Sequence, residues 1–298
     1  MLMALLTATL MSEADKPVLA AYLPAWKMDG YDLARLAPLT DVIYFSVQPN
    51  PDGTINTKDI RLGDLAALRK AKKKMGFRLL ISCGGWERSA GFMAVSSDPA
   101  KRARFVRAAA AFCERNGADG FDLDWEHPKD AAEAKAYGEL IRDLRALFAP
   151  KKRIITAAIA SWQTMSPEAV RGLDRVHLMS YDHPDRHATM QKAKDDVVKL
   201  RAMGFPSSKI VLGVPFYGRS LTKWNDARAY SELLHSFQPK PQEDEAGGFY
   251  FNGPKTMIEK AKFVREQGLG GVMIWEVTHD ASGPSSLLSA LRVGLYPR

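Results

Sequence analysis

Cysteine is scarce: the 298 residues contain only Cys83 and Cys113. Neither belongs to a Cys-x-x-Cys or Cys/His ligand spacing, so the chain reads neither as a disulfide-built scaffold nor as a zinc or thiol-redox protein. Two buried, reduced thiols are expected. Long apolar runs are also lacking. Beyond the N-terminal region no stretch is apolar for long enough to span a membrane, so no transmembrane segment is expected. Linkers, low-complexity tracts and internal repeats are absent too, which argues for one domain. Charge of one sign is in modest excess, 42 Lys and Arg against 34 Asp and Glu, giving +8. The positive residues scatter along helix-like stretches such as Lys101 to Arg104 and Arg69 to Lys74. No nucleic-acid motif accompanies them, so a solvated helix face is expected and no nucleic-acid partner.

The first residues differ from the rest. Leu2 to Met11 is a short apolar run, and Ser12-Glu13-Ala14 resembles a small-x-small cleavage site, although the basic n-region of a secretory signal is missing. Residues 1–15 are therefore read as a signal peptide or disordered leader, implying a secreted or periplasmic protein. Residues 16–298 are read as a single domain, a length suited to one α/β barrel.

In that domain eight short apolar, β-prone runs alternate with amphipathic stretches. The runs are Val18 to Leu23, Val42 to Val47, Arg78 to Ser82 and Gly120 to Trp125, then Ile154 to Ala160, Val176 to Ser180, Ile210 to Phe216 and Gly271 to Trp275. Continuous rather than alternating hydrophobicity is what strands covered on both faces require. Helices are predicted from Asp98 to Gly117, Asp130 to Phe148, about Met190 to Met203, and Pro254 to Gly268, with cap residues or Pro and Gly at their ends. Eight strand–helix units predict a (β/α)8 TIM barrel. A doubly wound sheet would carry a glycine-rich loop after its first strand, where this chain has Pro24-Ala25-Trp26. Ser220 to Gly253 shows no clear pattern and is expected to be a loop excursion at the barrel mouth.

The chemistry concentrates in Asp119-Gly120-Phe121-Asp122-Leu123-Asp124-Trp125-Glu126. Alternate side chains of a strand share a face, roughly 6.5–7 Å apart. Asp122, Asp124 and Glu126 thus project together, while Phe121, Leu123 and Trp125 face the other way. Asp119 has the opposite parity and is assigned a supporting structural role. Three adjacent carboxyls repel, so at least one is expected to stay protonated near neutral pH, as a general acid requires. Glu126 is the member at the C-terminal end of the strand, where barrel active sites lie. An Asp-x-Asp-x-Glu row also suits a hard cation. Without accompanying ligands, proton sharing is preferred, and no metal or cofactor is expected. Three acids on a core-facing strand are costly unless they have a task.

This octapeptide resembles the Asp-x-x-Asp-x-Asp-x-Glu signature of glycoside hydrolase family 18. The resemblance extends from about Val18 to Asp280. Ser82-Cys83-Gly84-Gly85-Trp86 is similar to the family's Ser-x-Gly-Gly element on the third strand, and Met179-Ser180-Tyr181-Asp182 to its Met-x-Tyr-Asp on the sixth. Gly213 to Gly218 resembles its seventh strand and Gly271 to Trp275 its eighth. The resemblance implies a retaining hydrolase of β-linked N-acetylglucosamine glycans, chitin or chitooligosaccharides. Its members depart from the usual two-carboxylate scheme because the substrate's acetamido oxygen is the nucleophile. Glu126 would be the acid/base, Asp124 would orient the acetamido group, and Asp122 would hold the shared proton. Tyr181 would bond the acetamido group, with Asp182 on substrate polar groups.

Trp275 is implied as the floor under the sugar, with Trp86, Tyr22, Phe45, Met179 and Tyr217 lining the pocket, and Ser82, Gly84 and Gly85 shaping it. Trp26 and Trp162 also fall just past strand ends, where aromatic faces suit pyranose rings. His127 stands where the family often has tyrosine; it could tune Glu126, but a rim histidine with a backbone partner is expected. The resemblance departs at Ser220 to Gly253, which is short for the family's α+β insertion between strands seven and eight. No large insertion domain is expected, and an open groove follows. Rival substrates on the same row are N-glycans, for an endo-β-N-acetylglucosaminidase, and peptidoglycan. The rival from another class is a sugar-binding lectin, which would typically lack Glu126. A monomer is expected.

Overall fold

The computed structural model describes residues 16–297. Eight parallel strands form the central sheet: β1 (Val18–Pro24), β2 (Asp41–Pro49), β3 (Arg78–Gly84), β4 (Gly120–Asp124), β5 (Ile154–Ile159), β6 (Arg175–Leu178), β7 (Ile210–Pro215) and β8 (Gly271–Trp275). Each pairs with the next in chain order, and β8 pairs with β1, so the sheet closes on itself. This is a (β/α)8 barrel. Almost every strand residue is buried, as expected of strands with the lumen on one face and helices on the other.

Side-chain alternation splits the apolar interior into two groups. Inside the barrel lie Val18, Ala20, Tyr22, Ile43, Phe45, Leu80, Ala158, Val211 and Met273. The opposite parity, including Phe121, Leu123 and Trp125, packs in the layer between barrel and helices. Trp125 stacks on Phe92 with centroids 5.4 Å apart and meets Tyr137 edge-on at 5.2 Å.

Nine helices of the α type are found among the described residues: α1 (Leu62–Met75), α2 (Phe92–Ser97), α3 (Pro99–Arg115), α4 (Ala131–Phe148), α5 (Pro167–Gly172), α6 (Met190–Ala202), α7 (Tyr230–Phe237), α8 (Pro254–Glu266) and α9 (Leu287–Leu295). The long ones start where a side chain satisfies the first free N–H groups. Asp98 accepts from Ala100 and Lys101 ahead of Pro99, Asp130 from Glu133 and Thr189 from Lys192. At the lower end of the barrel, buried Asp41 of β2 binds Arg78 of β3 and Arg175 of β6, compensating a carboxylate that burial alone would penalise.

The segment between β7 and α8 is more ordered than its sequence suggests. Residues Tyr217–Ser220, Ala227–Ala229, Glu245–Ala246 and Phe249–Tyr250 form a small antiparallel sheet, with α7 between its second and third strands. Strands of two to four residues carry too few positions for an alternating pattern to emerge. It remains a small elaboration of the barrel mouth, and there is no large insertion domain.

Candidate active site

The C-terminal ends of the strands gather the site. Asp122 lies deepest and is fully buried. Its Oδ2 accepts the Tyr22 hydroxyl at 2.7 Å and the Ser82 hydroxyl at 3.1 Å. Its Oδ1 accepts the Thr156 hydroxyl and lies 3.1 Å from His177 Nδ1. Burial pushes this carboxyl up, but the hydrogen bonds from His177, Thr156 and Tyr22 outweigh it and hold Asp122 below the usual carboxylate range.

Asp124 is the opposite case. Its Oδ1 is buried without a hydrogen-bond partner among the described residues. Burial first, then the charges of Glu126 and Asp122, hold its carboxyl well above the ordinary range. These surroundings favour the protonated form at Asp124 and the anion at Asp122, where the sequence reading has Asp122 hold the shared proton. Strand parity reveals which acids face each other, but the donors on β1, β3, β5 and β6 decide which one ionises.

Glu126 follows β4 at the mouth and is partly exposed. Its backbone N–H donates to Ser89 Oγ at 3.0 Å, and that hydroxyl lies 3.0 Å from the carbonyls of Gly85 and Asp124. Ser89 thus ties the turn after β3 to the end of β4. The two glycines of this turn are required by close approach. A Cβ on Gly84 would stand 2.2 Å from the Asp124 carbonyl oxygen, and one on Gly85 would stand 2.3 Å from the Phe45 ring. Both have positive φ, 102° and 106°. The Gly85 N–H donates to the same Asp124 carbonyl at 2.7 Å.

His127 differs from expectation. Among the described residues it has no backbone partner: Nε2 lies 3.4 Å from Glu126 Oε2 and buried Nδ1 is unpartnered. The exposed ring of Trp162 packs edge-on against it at 4.6 Å, which holds the imidazole over the carboxylate instead of the main chain.

Aromatic rings complete the mouth. Trp275 meets Phe45 at 4.9 Å and Tyr22 at 5.4 Å, both edge to face, and Phe45 meets Trp26 at 5.7 Å. Met179, Tyr181 and Trp275 pack on the lumen cluster. Tyr181 lies 6.3 Å from Tyr217, centroid to centroid. Trp26, Trp86 and Trp162 are 55%, 70% and 64% exposed, far too open to be core residues.

Beside them Asp182 accepts the Tyr217 hydroxyl at 2.6 Å and Arg219 Nε at 2.5 Å, with His187 Nδ1 3.6 Å away. Burial acts against ionisation, yet Arg219, His187 and Tyr217 hold Asp182 far below the usual range. A cleft of about 640 Å³ meets the site at Asp182, Tyr217, Arg219 and Trp275 and continues past Tyr31 and His279. Asp119 stands apart from all of this. It lies below β4, where Oδ1 binds Lys72 and Oδ2 accepts the Leu79 N–H at 2.8 Å, joining two strands.

Sequence reasoning missed Thr156, His177 and Arg219. The first two are polar residues inside otherwise apolar strand runs, which is the signal that marks them. Arg219 lies two residues after Tyr217 and shares its face across an extended segment. Among the described residues no group of three or more His, Cys, Asp or Glu side chains is placed to hold a metal ion. The hydroxyls and imidazole around Asp122 occupy the oxygens a cation would need. Cys83 and Cys113 are buried and free.

The arrangement is a buried carboxyl whose donors favour the anion, a neighbour whose surroundings favour the protonated form, and a third carboxyl at an aromatic-lined mouth. It can deliver a proton to a polar leaving atom bound against Trp275. The chain resembles known proteins over most of its length. The chain is 27% identical to chitinase 1 of Aphanocladium album, with 93% of this chain and 85% of that one aligned. It is 28% identical to endochitinase 1 of Metarhizium robertsii, over 75% of this chain and 66% of the relative. Among solved structures, a family 18 chitinase of Flavobacterium johnsoniae superposes with a TM-score of 0.84 at 26% identity, covering 94% of each chain. A chitinase of Bacteroides thetaiotaomicron gives 0.85 at 25% identity, covering 94% of this chain and 97% of its own. The profile of glycosyl hydrolases family 18 matches residues 18–280, so the chain belongs to that family and is a glycoside hydrolase.

Proposed function

We propose that this protein cleaves β-1,4 linkages of N-acetylglucosamine-containing glycans, chitin or chitooligosaccharides, by a retaining, substrate-assisted route with Glu126 as general acid and base. The observation that carries this reading is the contrast within one row. Its donors favour the anion at Asp122, burial and neighbouring charge favour the protonated form at Asp124, and Glu126 follows them at the C-terminal end of β4, the barrel end at which Trp275 closes β8. The names of the relatives support the substrate class.

The sugar at the cleaved bond lies on Trp275, with Tyr22 and Phe45 at its edge. Glu126 takes up the proton of neighbouring Asp124 and delivers it to the departing glycosidic oxygen, leaving Asp124 as the carboxylate. The acetamido oxygen attacks the anomeric carbon of its own ring and forms an oxazolinium ion. Asp124 and Tyr181 orient the acetamido group, and Asp124 stabilises the charge that develops on its nitrogen. Asp122 keeps its negative charge throughout and favours the proton's stay on its neighbours. Glu126, now a carboxylate, takes a proton from the water that opens the ring, and the anomeric configuration is retained. Asp182, fixed by Tyr217 and Arg219, offers acceptor oxygens to sugar hydroxyls.

Residues 16–298 act as one catalytic domain in this reading, monomeric and placed outside the cytoplasm. The leader over residues 1–15 lies outside the described residues. Among the described residues no helix is long and apolar enough to cross a membrane. The test is a product profile on chitin oligosaccharides, an N-glycopeptide and peptidoglycan side by side. Preferential cleavage of the chitin series supports the reading. Preference for either other substrate reassigns it, and glycan binding without turnover of any of the three makes the protein a lectin.

A further inference from the structure

His177 is a buried histidine inside the barrel. It stands on β6 beside Ala158 of β5 and Val211 of β7, and its ring is 1% exposed. Nδ1 lies 3.1 Å from Asp122 Oδ1 and 3.4 Å from the Tyr22 hydroxyl. Nε2 has no hydrogen-bond partner among the described residues. These contacts choose the tautomer. A proton on Nδ1 faces a carboxylate oxygen and leaves only a bare lone pair unpaired at Nε2. The reverse would bury an N–H without an acceptor and aim a lone pair at an anion.

Asp122 then has four donors for two oxygens: Tyr22, Ser82, Thr156 and His177. Three are hydroxyls, which can rotate and accept a hydrogen bond as readily as donate one. They tolerate either a carboxylate or a carboxylic acid. The imidazole N–H is fixed in the ring plane and can only donate, so it favours the carboxylate.

We propose that His177 is a positioning residue of the carboxylate row: its Nδ1–H fixes Asp122 as the standing anion and thereby leaves the row's proton on Asp124, next to Glu126. Interacting acids at this spacing share protons as a set, and the member with the most dedicated donors loses the competition for one. The titratable groups against the imidazole are Tyr22 from β1 and Asp122 from β4. Its strand neighbours Ala158 and Val211 carry no charge. The consequence for turnover rests on the hydrolase reading above, but the location of the proton does not.

The experiment uses the full chain with ¹³Cγ-labelled aspartate and ¹⁵N-labelled histidine, followed by NMR titration. Two variants are compared: His177→Leu removes the donor at similar volume, and His177→Asn keeps an N–H near the Nδ1 position. In the wild type, His177 is expected as the Nδ1–H tautomer, with the Asp122 signal ionised and the Asp124 signal protonated near neutral pH. His177→Leu should raise the Asp122 midpoint by about one pH unit or more and lower that of Asp124. His177→Asn should restore both. On a chromogenic N-acetylglucosamine oligomer the acidic limb of kcat should move up with the Asp122 midpoint in His177→Leu, with KM changed less than about twofold. An unaltered aspartate titration in folded His177→Leu overturns the inference. So does an Nε2–H tautomer in the wild type, a measurement that needs no variant to fold. A wild type inert on every oligomer sinks the hydrolase reading alone, since the titration still decides the role of His177.

Discussion

Asp122 and Asp124 are two residues apart on one strand, both buried, and their surroundings drive their carboxyls in opposite directions. The difference lies in partners rather than depth. Asp122 is held by donors from four other strands, whereas Asp124 has an unpartnered oxygen and an acid on either side. A buried acid without donors is a destabilising feature in the free protein, and such features persist where function needs them.

That relationship sets a stability prediction. A carboxyl whose folded pKa is raised contributes stability that is fully present below its unfolded value and lost as pH rises through the folded one. Asp124→Asn removes the ionisation and nearly preserves shape. Its Tm should match the wild type near pH 4 and exceed it increasingly as the pH is raised towards 8, while activity falls steeply. Thermal unfolding across that range checks it. A variant less stable than the wild type at every pH would show that the Asp124 carboxyl is paired after all.

Glu126→Gln removes the proton donor but keeps the side chain's length and most of its hydrogen bonding. Turnover should fall by roughly 10³-fold, within the range of a lost general acid, while oligosaccharide affinity stays near that of the wild type. Initial rates and calorimetry on one chitin oligomer separate the two. Near-wild-type turnover would place the acid elsewhere.

Much of this site was legible in the sequence. Period-two alternation in Asp122-Leu123-Asp124-Trp125-Glu126 separates the acids from Trp125, which lies in the helix-facing layer against Phe92. Caps and continuous apolar runs marked the strands and the longer helices. What escaped was set by distant partners. The state of Asp122 depends on residues 34 to 100 positions away in the chain. For His127, which the sequence leaves between Glu126 and a backbone partner, the ring of Trp162 packed against the imidazole accompanies the contact with Glu126. The sheet over Tyr217–Tyr250 escaped because its strands are too short to show a period.

The two tryptophans give a paired prediction. Trp275 stands at the mouth against Tyr22 and Phe45, while Trp125 is enclosed by Phe92 and Tyr137. Trp275→Ala should cost about 2 kcal/mol of oligosaccharide affinity, roughly a 30-fold rise in Kd. Trp125→Phe should leave affinity within about threefold and lower Tm instead, because a smaller ring leaves part of the stacked layer unfilled. Calorimetric titration and thermal unfolding of both variants decide the matter. Equal losses of affinity in two folded variants would contradict the assignment of Trp275 as the sugar platform.

The proposed nucleophile belongs to the substrate, and this is the most exposed part of the mechanism. No side chain needs to attack the anomeric carbon, because the acetamido oxygen reaches it from within the same ring. An intramolecular oxygen has an effective molarity far above that of water, so deleting it should raise the barrier by several kcal/mol even where binding survives. Oligomers carrying glucosamine or glucose on the glycone side of the cleaved bond should therefore be nearly inert. A thiazoline analogue of the oxazolinium ion should inhibit competitively and bind more tightly than substrate, since the site complements that geometry. Two displacements at one carbon retain its configuration, so the first product released from an N-acetylated tetramer should be the β-anomer. Proton NMR within the first minutes, before mutarotation, distinguishes the two anomers. Early α-anomer, or brisk cleavage of the deacetylated oligomer, would exclude substrate assistance and require a water or side-chain nucleophile opposite Glu126.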